Sequence, residues 1–138
     1  MIKVNAVLTL IVGTALVLLV RQYAQPEWSV VQIIGLALMT AGFTLWTTAR
    51  FQLGKSLAVT AQAKQLVTRG LYSKIRNPIY VFGSMVIAGL ILTLGRPIWL
   101  LIFLLIIPLQ LWRTSKESQV LEEKFGEEYR RYRAATWF

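Results

Sequence analysis

LVTRGLYSKIRNPIYVFG, Leu66–Gly83, is a polar, basic, turn-rich passage that runs directly into an apolar one. Gly70 and Pro78 punctuate it, Arg69, Lys74 and Arg76 charge it, and Tyr72 and Tyr80 add hydroxyls. The sequence on both sides is membrane-like. A cationic loop placed where a chain re-enters a bilayer suits an anionic or amphiphilic ligand. Reading outward from this stretch gives the fold class: an all-α integral membrane protein, with a cytoplasmic loop between pairs of spans.

Composition supports that class. The chain has 138 residues, 56% of them apolar, and these come in long blocks. Its length fits one membrane-embedded domain over residues 1–138. Cysteine and histidine are both absent, which excludes disulfides and thiolate metal sites and makes a bound metal unexpected. It also removes the usual general base at neutral pH. The net charge of +9 would suggest nucleic acid in a soluble protein. Here it reads instead as cationic loops that follow the positive-inside rule and touch anionic lipid.

Four spans are expected. Val4–Val20 is uncharged and just long enough to cross. No small-residue cleavage site precedes Arg21, so this run reads as a retained anchor. Val30–Ala49 follows, with Gly35, Gly42 and threonines 40, 44, 47 and 48 as small or hydroxylated residues that permit close helix approach. Pro78 suits a helix start, and Ile79–Leu94 is the third run. Gly95-Arg96-Pro97 is a turn, and Ile98–Trp112 is the fourth run, with Pro108 as an expected kink. Residues 51–77 form the loop, with turns at Leu53-Gly54-Lys55-Ser56 and Thr68-Arg69-Gly70 and no clear period over Leu57–Val67. Residues 113–133 form an amphipathic C-terminal helix, which Gly126 either breaks or caps.

Charge sets the expected orientation. Lys3, the loop cations and the C-terminal cations share one side, and the other keeps only Arg21 and Arg96. Both termini are therefore expected in the cytoplasm, in a bacterial or archaeal inner membrane. The loop and the C-terminal helix then meet at one face. Arg113 and Glu117 are spaced i, i+4 where the fourth run leaves the bilayer. Between them and the loop lie cations for a carboxylate, a carboxylate for an ammonium, and amides and hydroxyls for a sugar or base.

This constellation resembles the membrane methyltransferases of the isoprenylcysteine carboxyl methyltransferase and phospholipid methyltransferase group. The matching residues are Leu66-Val67-Thr68-Arg69-Gly70-Leu71-Tyr72, then Arg76-Asn77-Pro78-Ile79-Tyr80, then Arg113 and Glu117. Leu121, Phe125-Gly126, Tyr129 and Tyr132 complete the pattern, so the resemblance covers Leu53 to Tyr132. There are departures. Asn77 stands where many members have His, Gly83 comes one residue late, Ser118 replaces the second Glu of a Glu-Glu pair, and Trp137-Phe138 stands without the family's Pro-containing tail.

The resemblance implies S-adenosylmethionine as cofactor, S-adenosylhomocysteine as product, and a lipid-like or small hydrophobic acceptor arriving from the membrane. By position, Gly70, Tyr72, Arg76, Asn77, Pro78, Tyr80 and Glu117 would bind the cofactor, and Arg113 and Glu117 would be catalytic. Methyl transfer from a sulfonium is an in-line displacement, so alignment and desolvation provide much of the catalysis. A carboxylate acceptor needs no base, whereas an amine acceptor would have to use Glu117 or a tyrosine. A non-catalytic membrane scaffold or lipid-binding protein with the same fold is the alternative. Short spans with exposed glycines are also compatible with a homodimer.

Overall fold

The computed structural model describes residues 2–24, 26–54 and 68–138. The expected turn at Lys55-Ser56 and the Leu57–Val67 segment lie outside the described residues, as do Leu66 and Val67 of the motif. Five α-helices are described: α1 (Ile2–Tyr23), α2 (Val30–Leu53), α3 (Pro78–Thr93), α4 (Phe103–Phe125) and α5 (Glu127–Ala135). Short 3₁₀ turns cover Gly70–Ser73 and Pro97–Ile102. Lys3–Tyr23, Val30–Leu53 and Pro97–Phe125 are long and apolar enough to cross a membrane. Pro78–Thr93 is apolar but shorter. These lengths are consistent with an integral membrane protein.

The centre of the fold is the antiparallel α2–α3 pair. Ser29 starts α2 with a capping box: its hydroxyl accepts from the Gln32 amide at 3.3 Å, and its own amide donates to Gln32 Oε1 at 3.0 Å. Glycines then let the two backbones touch. A Cβ on Gly35 would stand 2.6 Å from the Thr93 nitrogen, and one on Gly89 would run into the Met39 backbone. At Gly42 it would stand 3.0 Å from the Val86 nitrogen. Gly83 does not share this role, because a Cβ there would meet the Trp46 ring at an ordinary 3.6 Å. Thr40, Thr44 and Thr48 do not serve close approach either. They form an exposed i, i+4 row, and each hydroxyl donates to its own helix four residues back at 2.8–2.9 Å.

Two contacts eight residues apart along α1 hold it to α2. The Asn5 side chain accepts from Arg50 Nη2 at 3.0 Å, and a Cβ on Gly13 would stand 3.3 Å from the Phe43 ring. Further along, α4 meets α3 through polar side chains. Gln110 Nε2 donates to Ser84 Oγ at 3.0 Å, and Tyr80 donates to Glu117.

The C-terminal segment differs from one continuous helix over 113–133. Gly126 adopts φ +55°, and its amide donates to the Glu122 carbonyl at 2.8 Å, closing α4. The chain then folds back. Tyr129, only 1% exposed, donates to Ser118 Oγ at 2.8 Å. In an unbroken helix those residues would be roughly 16 Å apart along the axis.

Candidate functional site

The site lies where the 68–77 segment, the start of α3, the polar end of α4 and α5 come together. The segment is anchored first. Gly70 takes φ +61°, and a Cβ there would run into the Gln52 side chain. Gln52 Oε1 in turn accepts from the Leu71 amide at 2.8 Å, tying the 3₁₀ turn to the end of α2. The C-terminal tail holds the other end. The Arg76 amide donates to the Trp137 carbonyl at 3.3 Å, the Asn77 amide to the Phe138 carbonyl at 2.9 Å, and the Trp137 amide to the Lys74 carbonyl at 3.1 Å. Arg76 Nη1 adds side-chain bonds to the Arg133 carbonyl at 2.9 Å and the Thr136 carbonyl at 3.2 Å. It thereby satisfies carbonyls that the end of α5 leaves unpaired.

Tyr80 projects from the first turn of α3 and donates to Glu117 Oε1 at 2.6 Å, a short bond of the charge-assisted kind. Arg113 Nη2 lies 3.8 Å from the same carboxylate oxygen, and its guanidinium sits 5.7 Å from the centre of the Tyr80 ring. Both members of that ion pair are partly exposed, so its value is less in stability than in holding Glu117 in position. The result is a fixed carboxylate, a cation beside it and an aromatic face.

The other expected site residues divide into two groups. Tyr72 is 5% exposed, and its hydroxyl is buried with no hydrogen-bond partner among the described residues. Arg76 Nε is buried and unpaired as well, although Nη1 is engaged. These two retain unused donors. Gly70, Asn77 and Pro78 act through the backbone: Gly70 by its conformation, Asn77 by capping α3 without a side-chain bond, and Pro78 as a fully buried first residue of α3. Burial pushes the Tyr72 phenol well above its ordinary pKa, with Tyr132 and Glu117 adding and Arg50 opposing. Burial likewise pushes Tyr132 up to about 12. Both phenols stay protonated at neutral pH and keep a hydrogen to donate.

Some residues that build this region do not stand out in the motifs. Arg50, Gln52, Ser84 and Gln110 all make side-chain contacts between elements. For Gln110 the signal was its place in an apolar run, since a buried amide in hydrocarbon requires a partner.

The phospholipid methyltransferase family model matches residues 30–128, well over half of the chain. The chain belongs to the phospholipid methyltransferase family. That family is one of membrane methyltransferases, in keeping with span-length apolar helices around a polar site. The matched region contains α2, α3, α4 and the Tyr80–Glu117–Arg113 cluster, while α1 and most of α5 lie outside it. Neither a curated protein nor a solved structure matches the chain.

Proposed function

We propose that this family member transfers a methyl group from S-adenosylmethionine to a lipid-like or small hydrophobic acceptor, at the cytoplasmic face of the membrane. In this reading α1, α2, α3 and α4 are four spans of one domain, and the chemistry resembles that of isoprenylcysteine carboxyl methyltransferases. The observation that carries the reading is the 2.6 Å bond from Tyr80 to Glu117, with Arg113 beside it, inside the family-matched region.

The residues present fit the cofactor. Among the described residues the buried Tyr72 hydroxyl and Arg76 Nε are donors without acceptors, an arrangement that suits a ligand bringing one. Glu117 is a carboxylate suited to an ammonium. When bound, S-adenosylmethionine supplies an electrophilic methyl on a sulfonium. Glu117 would hold the ammonium of the cofactor or take a proton from the acceptor, with Tyr80 fixing its orientation. Arg113 would hold a carboxylate. Gly70, Asn77 and Pro78 would shape the wall through the backbone geometry described above. Such positioning accounts for much of the rate gain available in an in-line displacement.

The test is calorimetric titration of nanodisc-embedded protein with S-adenosylhomocysteine, wild type beside Glu117→Ala. Micromolar binding that the variant loses is the expected outcome. A folded wild type that fails to bind would leave a non-catalytic membrane protein as the better reading.

A further inference from the structure

Four polar atoms near the site are buried and have no hydrogen-bond partner among the described residues: Arg50 Nε, Tyr72 OH, Arg76 Nε and Tyr132 OH. All four are donors when the phenols are protonated. They come from three elements that the fold draws together. Arg50 lies in the last turn of α2, and Gln52 ties that turn to the 3₁₀ turn carrying Tyr72. Arg76 bonds the last turn of α5, where the Thr136 hydroxyl donates to the Tyr132 carbonyl at 2.9 Å. The groups also act on one another electrostatically: Arg50 and Tyr132 on Tyr72, and Arg76 on Tyr132.

Orphaned buried donors are unusual in a folded chain. A phenol oxygen could accept from a guanidinium N–H, but among the described residues neither Tyr72 nor Tyr132 does so, and all four hydrogens stay unused. Two of the groups carry permanent positive charge, because guanidinium does not deprotonate in proteins. Glu117 acts electrostatically on Tyr72, so a carboxylate suited to an ammonium belongs to the same region.

We propose that Arg50, Tyr72, Arg76 and Tyr132 form an anion subsite that accepts a carboxylate or phosphate oxygen from a ligand whose ammonium faces Glu117. This deepens the methyltransferase reading and rests on it for the identity of one of its two candidate ligands. It adds Arg50 and Tyr132, neither of which the resemblance assigns a binding role, to the binding machinery. The anion has two sources with the same chemistry: the amino-acid carboxylate of the cofactor, or the phosphate of a phospholipid acceptor.

Two pairs of probes separate them. S-adenosylhomocysteine carries the amino-acid carboxylate, and 5′-methylthioadenosine has the same nucleoside and sulfur without it. Dihexanoylphosphatidylethanolamine carries the phosphate, and dihexanoylglycerol does not. Binding of each would be measured for wild type, Arg50→Gln, Tyr72→Phe and Tyr132→Phe. The phenylalanine variants matter most. Removing an unpaired buried hydroxyl leaves packing intact, so the ligand-free thermal midpoint stays level or rises.

The expected result is about tenfold weaker binding of one charged probe in each phenylalanine variant, with its uncharged counterpart unaffected. Loss on S-adenosylhomocysteine alone assigns the cofactor carboxylate, and loss on the phospholipid alone assigns the acceptor phosphate. Unchanged affinity for both charged probes overturns the subsite, as does equal loss within a pair. If wild type binds neither nucleoside, the enzyme reading fails separately, and the phospholipid pair still decides the subsite.

Discussion

The Tyr80 hydroxyl donates to Glu117 Oε1 at 2.6 Å, joining the first turn of α3 to the polar end of α4. The two residues are 37 apart in sequence, and the carboxylate is also approached by Arg113 from its own helix. If this bond holds Glu117 in its working position, removing it should misplace the carboxylate without removing it. Tyr80→Phe is expected to lower kcat/KM for methyl transfer by about 10- to 100-fold, the worth of one hydrogen bond to a charged acceptor. Glu117→Gln should cost more. Transfer of labelled methyl from S-adenosylmethionine into a lipid extract measures both, and equal activity of Tyr80→Phe and wild type would remove the phenol from the mechanism.

The α2–α3 contact gives a sharper structural test. Gly89 and Gly83 lie on the same helix, but their surroundings differ. A Cβ on Gly89 would stand 2.7 Å from the Gly35 carbonyl oxygen as well as striking the Met39 backbone, and backbone does not yield cheaply. Gly83 faces only the side of the Trp46 ring. Gly89→Ala should therefore destabilise by about 1–3 kcal/mol through overpacking, and Gly83→Ala by much less. Thermal unfolding in one detergent, followed by tryptophan fluorescence, compares them directly.

Such contrasts also mark what could be read from the sequence. The first two apolar helices were legible because hydrocarbon excludes charge: α1 and α2 run where Lys3, Arg21 and Arg50 bound uncharged stretches. That Arg113 and Glu117 lie together was legible from their spacing, since an i, i+4 pair must share a helix face, whereas Tyr80 came from the motif that follows Arg76. The tail was not. Trp137 and Phe138 pair by backbone with residues 74–77, and backbone pairing leaves no side-chain pattern to read. Nor was the use made of Arg76. One terminal nitrogen holds the Arg133 and Thr136 carbonyls while Nε has no partner among the described residues, a division that depends on where α5 returns after Gly126. The capping box at Ser29 and Gln32, by contrast, was open to reading in its Ser-x-x-Gln spacing.

The tail's role is testable in isolation. Deleting Trp137 and Phe138 removes the acceptors of the Arg76 and Asn77 amides, and with Trp137 goes the donor to the Lys74 carbonyl. Each bond is worth about 1 kcal/mol, so exchange protection at the two amides should fall by about fivefold or more. Protection in the middle of α3 should not change. Hydrogen exchange read by mass spectrometry on peptides spanning residues 70–90 resolves the two regions. Uniform loss along both would mean that the tail supports the whole fold and not the 74–77 segment.

The last prediction concerns pH and follows from Tyr132. An unfolded tyrosine ionises near 10. In the folded chain burial pushes Tyr132 up to about 12, Tyr129 adds to the rise and Arg76 opposes it. The folded state therefore keeps a proton that the unfolded state gives up between those values. A group whose pKa is raised by folding contributes stability that is fully present below its unfolded pKa and is lost as pH rises through the folded one. The contribution from Tyr132 should be intact at pH 9 and should disappear by roughly pH 12. Tyr132→Phe cannot ionise and should lose less stability over that interval than wild type does. Thermal midpoints of both proteins at stepped pH, with phenolate absorbance followed in parallel, measure the difference. Parallel curves for the two proteins would show that the Tyr132 phenol titrates alike in the folded and unfolded chain, and that its hydroxyl is not held from water as the structure describes.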